Sequence, residues 1–189
     1  MLSVKDDVTR KEILEVTGVI LMKDFKVKSA VRKRIDYLKK YIRENALKGF
    51  VLGVSGGVDS TAAGKIAQLA VSELRDDGYD AKLIAMRLPY KTQADEDDAM
   101  KAIDFINPDE VITVNIDSGT DSVFNSILSG MQVSGFKIND NVSSLDFTKG
   151  NVKARMRMLT QYAIAGLRGC VVLGTDNSAE FVTGFYTYY

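Results

Sequence analysis

The sequence contains no histidine, no tryptophan, one cysteine and two prolines in 189 residues. With Cys170 as its sole thiol and no imidazole, the chain cannot build a Cys-His or Ser-His-Asp nucleophilic site, a His-ligated zinc site, a c-type haem attachment or a disulfide framework. Any metal site must therefore be built from carboxylates and other oxygens. Net charge is missing too: 25 basic residues balance 25 acidic ones, so no overall field draws the protein to nucleic acid or to an anionic membrane. No stretch approaches the roughly 18 apolar residues of a membrane span. The segment from Met1 to Lys11 interleaves Lys5, Asp6, Asp7, Arg10 and Lys11 and lacks the apolar run of a signal peptide. These absences predict a cytoplasmic protein without nucleic-acid or membrane partners.

What is present, 46% hydrophobic and 26% charged residues, predicts one globular domain over residues 1–189, with 1–28 as an N-terminal arm. Ile13 to Leu21 is apolar enough for a helix or a packing arm, and the pattern does not choose between them. Val31, Ile35, Leu38 and Ile42 recur at steps of three and four and predict a helix from Ser29 to Ala46. Its basic face, Arg32, Lys33, Lys39, Lys40 and Arg43, reads as solvated. From Phe50 onward short apolar runs alternate with helical stretches. Strands are predicted at Phe50 to Val54, Lys82 to Leu88, Val111 to Ile116 and Cys170 to Leu173. Helices are predicted at Thr61 to Leu74, Asp95 to Ile106, Ser118 to Leu128 and Val152 to Leu167. Residues 129–150 read as a long loop. Near-continuous apolar strands separated by helices make this an α/β protein, a parallel sheet with helices on both faces. Such sheets bind ligands beyond the carboxyl ends of their strands, here just after Val54, Leu88, Ile116 and Leu173.

The strongest chemical signal is Ser55-Gly56-Gly57-Val58-Asp59-Ser60-Thr61, set between a strand and a helix. Paired glycines let the backbone turn tightly and bring its N–H groups near an anion, and the helix start adds unpaired N–H groups. The hydroxyls of Ser55, Ser60 and Thr61 add donors. Gly64-Lys65 is followed by Ile66, which excludes a P-loop, and no G-x-G-x-x-G is present. Asp59 would repel phosphates unless a divalent cation lay between them, and hard oxygen ligation suits Mg2+. The plainer alternative is an ordinary strand-to-helix turn with Asp59 and Ser60 as capping residues.

Ser-Gly-Gly-x-Asp-Ser after a first parallel strand resembles the pyrophosphate-binding loop of the N-type ATP pyrophosphatases. Three further segments, Arg87 to Ala99, Gly150 to Met158 and Gly174 to Phe185, resemble ammonia-dependent NAD synthetase, and the likeness covers roughly Val31 to Tyr188. The resemblance implies an adenine nucleotide alpha hydrolase-like, Rossmann-like fold. It implies ATP contacts along Gly53, Val54, Ser55, Gly56, Gly57, Val58, Asp59 and Ser60, and at Arg87, Gln93 and Thr175. It also implies Mg2+ ligation by Asp59 and Glu180 and dinucleotide binding by Arg155, in a homodimer. Without the resemblance, Arg87 and Gln93 are either purine or ribose contacts or part of a surface loop before an acidic helix start, and Glu180 either ligates a metal or caps its own helix. Arg155 and Arg157 are two apart on a helix, so at most one faces the site; Arg157 is read as structural. Cys170, Met156 and Met158 read as packing residues.

The implied reaction is ATP-dependent amidation of deamido-NAD by ammonia through an acyl-adenylate, giving NAD, AMP and pyrophosphate. It needs positioning and charge neutralisation rather than an acid–base dyad, in accord with the absence of histidine. Glutamine hydrolysis would need a nucleophilic Cys with a base or an attached amidase domain, so free ammonia is the expected nitrogen donor. Family chains carry His at the position of Asn177 and Lys at that of Tyr188, and continue beyond Tyr189, so a C-terminally truncated chain is expected. A non-catalytic nucleotide-binding fragment and a tRNA-modifying member of the superfamily are the alternatives. The single Cys and zero net charge disfavour the second.

Overall fold

The computed structural model describes residues 4–17, 25–91, 96–137, 142–184 and 186–187. In chain order the elements are α1 (Val4–Thr17), α2 (Val27–Glu44), β1 (Gly49–Gly53), α3 (Val58–Asp76), β2 (Lys82–Arg87), α4 (Glu96–Ile106), β3 (Glu110–Thr113), α5 (Asp117–Val133), α6 (Val142–Arg168), β4 (Val171–Val172) and α7 (Ser178–Thr183). The strands form one sheet in the order β3-β2-β1-β4, and every pairing is parallel. The expected α/β architecture is what the chain forms.

Alternation along the strands builds two cores. Phe50, Leu52, Leu83 and Ala85 pack on one face against Ile42 of α2, Val71 and Leu74 of α3 and Ile106 of α4. Val51, Ile84 and Met86 point to the other face, where Met156, Ile164 and Ala165 of α6 cover them. Period-two burial on both faces is why these strands read as continuous apolar runs. Gly64 of α3 sits so close to the sheet that a Cβ would lie 2.6 Å from Ile106 Cδ1 and 2.9 Å from Leu52 Cδ2.

Three expectations are corrected. The loop expected over residues 129–150 is largely helical: α5 continues to Val133 and α6 begins at Val142, ten residues before the expected Val152. The basic face of α2 is not simply solvated. Arg32 reaches Glu73 of α3 through both terminal nitrogens at 2.7 and 2.9 Å, Lys39 Nζ lies 3.0 Å from the same carboxylate, and Arg43 meets Asp77 at 2.8 Å. Met158 points outward, 38% exposed, while Met156 packs on the second core. The helix-or-arm stretch from Ile13 falls inside α1 as far as Thr17, and 18–21 lie outside the described residues. Among the described residues no helix is long and apolar enough to cross a membrane.

Hydrogen bonds from Arg32 and then Lys39 pull the Glu73 carboxyl from 4.5 to about 2. A carboxyl held below its unfolded value stabilises the fold above that value and stops doing so as pH falls through the folded value. Thermal unfolding of Glu73→Gln against wild type should therefore show a lower midpoint at pH 7, and the gap should close progressively between pH 4.5 and 2. A gap that is constant across that range would remove the network from the account of α2–α3 docking.

Candidate functional site

At the carboxyl end of β1 the backbone leaves the sheet through Ser55, Gly56 and Gly57 and enters α3. Gly56 takes φ +86°, a region that side-chain-bearing residues rarely occupy. It also backs onto α4, where a Cβ would lie 2.9 Å from the Ala99 nitrogen. Both conditions require glycine. The hydroxyls expected to serve as donors are organised around the turn: Ser55 Oγ accepts from Gly57 N–H at 3.2 Å and lies 3.2 Å from Ser60 Oγ, while Thr61 Oγ1 donates to Gly57 O at 2.7 Å. Gly57 is the N-cap of α3 and supplies no side-chain cap. The first N–H groups of this helix thus have no capping side chain, and with the helix dipole they form an anion-binding start. Val58, the first residue of α3, is 78% exposed.

Two cavities open beside this turn. One, about 340 Å3, is lined by Gly53, Val54, Ser55, Met86, Leu88, Arg157 and Gln161. The other, about 420 Å3, lies between α2, the start of α3 and the segment after β4; Arg34, Tyr37, Asp59, Thr175 and Asp176 are among its lining residues. The structure therefore brings Asp59 and Thr175 together from separate strand ends. A third cavity, about 340 Å3, is at the opposite edge of the sheet, lined by Lys48, Asp80, Lys82, Arg168 and Cys170 among others.

The remaining expected residues fall as follows. Arg87 ends β2 with Nη2 2.6 Å from Glu96 Oε1 of α4, and its buried Nε has no hydrogen-bond partner among the described residues. Gln93 lies outside the described residues. Arg155 is on the exposed side of α6, donating to Asn151 O at 3.3 Å. Arg157 is the member of that pair that turns inward: it lines the first cavity and donates from Nε to Leu88 O at 3.0 Å. Glu180 closes a capping box, with Oε2 accepting from Asn177 N–H at 3.0 Å while Asn177 Oδ1 accepts from Ala179 and Glu180 N–H at 2.9 and 3.0 Å. Asn at position 177 is thus a strong N-cap. Residues that sequence reasoning passed over are Gln161 and Asp176. Gln161 carried a signal in its spacing, four residues after Arg157.

For Mg2+ the donor set is sparse: among the described residues no three acidic, His or Cys side chains converge on a metal position. That suits Mg2+, which is commonly held by one or two carboxylates plus phosphate oxygens. Asp59, exposed in the first turn of α3 and facing the second cavity, fits that role.

A parallel sheet whose first strand runs through paired glycines into an uncapped helix, with a carboxylate beside it, defines an α/β protein that presents backbone donors at the carboxyl end of its sheet. The NAD synthase family matches residues 30–189, and the chain belongs to that family. It is 48% identical over 178 residues to the NH(3)-dependent NAD(+) synthetase of Rhodococcus jostii (strain RHA1), covering 94% of this chain and 62% of that protein. With the NH(3)-dependent NAD(+) synthetase of Bacillus thuringiensis subsp. konkukian (strain 97-27) it shares 51% identity over 161 residues, 85% of this chain and 56% of the relative. The crystal structure of NAD+ synthetase from Burkholderia pseudomallei matches with a TM-score of 0.83 at 41% identity, over 93% of this chain and 72% of that one. The chain thus spans 56% to 62% of the length of these two curated relatives.

Gly56→Ala is expected to destabilise the protein by about 1–3 kcal/mol from the positive φ alone, and further through the contact with Ala99. Gly57→Ala, where an added Cβ meets only Ser55 Oγ at 3.3 Å, should lose less than about 1 kcal/mol. Urea denaturation of the two variants checks the order.

Proposed function

We propose that the protein is a ligase that amidates deamido-NAD with ammonia at the expense of ATP. The observation that carries this reading is the juxtaposition, at one sheet edge, of the uncapped α3 start behind Gly56-Gly57 with Asp59 and Thr175 on a shared cavity. The family and its ammonia-dependent relatives support it. A carboxylate resists attack because its leaving group would be oxide. Its oxygen therefore first attacks the α-phosphorus of ATP and displaces pyrophosphate; ammonia then attacks the carbonyl carbon and AMP departs with the former carboxylate oxygen.

The chain's own residues bind and orient. The backbone N–H groups at the start of α3 and the exposed Ser55 hydroxyl face the polyphosphate, while Ser60, buried and donating to Gly57 O at 3.2 Å, braces the turn beneath them. The first cavity, with Val54, Met86 and Leu88 as apolar walls and Arg157 and Gln161 as polar ones, suits a flat heterocycle with a hydrogen-bonding edge. Arg87 lies beside it at the end of β2, and Gln93 and Thr175 complete the proposed nucleotide contacts. Arg155 presents a cation for the dinucleotide from the outer side of α6. Asp59 is the carboxylate that would hold Mg2+, and Glu180, whose Oε2 accepts from Asn177 N–H, could add only its other oxygen; the ion's charge would offset that of the pyrophosphate.

A second copy of the chain is part of the proposal. Phe147, Leu159, Tyr162 and Leu167 of α6 and Phe181 of α7 expose 58–81% of their surface, and apolar area of that extent seeks a partner. Sedimentation velocity at micromolar concentration should show a dimer, and a pure monomer would remove this element.

Incubation with ATP, Mg2+, deamido-NAD and ammonium should yield NAD and AMP in equal amounts, with glutamine unable to replace ammonium. Nucleotide binding without turnover would instead mark a binding module. Asp59→Asn should lower NAD formation by at least about a hundredfold, the scale on which a metal-held charge stabilises a transition state. Full activity in that variant would sink the assigned role.

A further inference from the structure

Four side chains on α6 stand four residues apart, Lys149, Lys153, Arg157 and Gln161, and so lie along one inclined row of the helix. Each reaches a different element of the nucleotide edge. Gln161 Oε1 accepts from Gly53 N–H at 2.7 Å, and Arg157 Nε donates to Leu88 O at 3.0 Å. Lys153 Nζ is 4.2 Å from the centre of the Tyr90 ring, and Lys149 Nζ is 2.7 Å from Asp121 of α5, which also accepts from the Tyr90 hydroxyl at 2.7 Å.

The first two bonds fall where the sheet runs out. Alternate backbone groups of a parallel strand serve alternate neighbours. Val54 N–H goes to Met86 O of β2, and Val51 O receives Leu173 N–H from the β4 side. Gly53 N–H therefore faces the β4 side, where pairing ends at Val51↔Val172. Leu88 O is likewise the next acceptor on the β1 side of β2 after Met86 O, but β1 has by then turned away into Gly56-Gly57. Gln161 and Arg157 occupy these two vacated ladder positions. The approach is tight enough that a Cβ on Gly53 would lie 3.0 Å from Gln161 Oε1.

We propose that Arg157 and Gln161 are positioning residues of the nucleotide site, standing in for absent strand neighbours so that the exit of β1 and the Leu88–Tyr90 segment keep a fixed separation, with Lys153 and Lys149 extending the row to Tyr90 and α5. That the positioned site takes a nucleotide rests on the function proposed above; the positioning itself does not.

Two measurements on the full chain test it. Amide hydrogen exchange read residue by residue should show Gly53 protection falling about tenfold in Gln161→Met, which keeps length but has no carbonyl oxygen, while Leu52 protection is unchanged. Calorimetric titration with Mg-ATP should show the dissociation constant rising about tenfold in Gln161→Met and in Arg157→Lys. The lysine retains the charge but not the planar fork, so its loss reports geometry rather than electrostatics. Should Gln161→Met fail to fold, Gln161→Asn, whose amide is too short to reach, supplies the same readings. Unchanged Gly53 protection overturns the proposal, as does ATP affinity within twofold of wild type in both variants once Gly53 is deprotected. If wild type itself binds no ATP, the functional reading of the site fails, and Gly53 protection still decides whether Gln161 holds the strand end.

Discussion

Gly56 rests its Cα against the backbone at the start of α4, at a distance that leaves no room for even a methyl group, and much of the site follows from that closeness. It brings the acidic first turn of α4, Glu96, Asp97 and Asp98, beneath the loop that leaves β1. Glu96 is thereby placed to meet Arg87 at 2.6 Å. The cation at the end of β2 is held by an exposed carboxylate while its buried Nε has no hydrogen-bond partner among the described residues.

Charge neutrality of the whole chain hides a local division of labour. At the α2–α3 junction, Arg32, Lys39 and Arg43 are spent on Glu73 and Asp77. At the far edge of the sheet, Lys82 and then Arg168 hold the Glu110 carboxyl below the ordinary carboxylate range. Around Tyr90, Lys149 and the tyrosine hydroxyl do the same for Asp121. These pairings brace elements against one another and are worth little individually in water. At the carboxyl end of β1 the pattern differs: what is left unpaired by side chains there is backbone, the uncapped start of α3, and under the proposed function that backbone takes the anion.

The strands and the glycine turn were legible because each is a local pattern: an apolar run of fixed length, then Ser-Gly-Gly. What depended on distant partners was not. The first ten residues of α6 contain Ser143, Ser144, Asp146, Thr148 and Gly150, poor helix formers, yet they are helical with Lys149 tied to Asp121 and packed near Tyr90 and Phe124. The pairing of Arg32 with Glu73 spans 41 residues, which no windowed periodicity detects. Spacing separates the directions of Arg155 and Arg157, but which one turns inward depends on where Leu88 O lies. The row from Lys149 to Gln161 is present as a four-residue spacing, but of polar residues, whereas the periodicity that marks a helix is that of its apolar face.

Cys170 sits just before β4, at the edge of the sheet remote from the glycine turn, half-buried among Lys48, Lys82 and Arg168. Burial raises its pKa, so the thiolate is scarce near neutrality and unprompted oxidation is slow. As the sole sulfhydryl in the chain, it offers a single attachment point for a fluorophore or spin label. A reporter fixed there would look along the strands toward the Gly56-Gly57 turn without obstructing it.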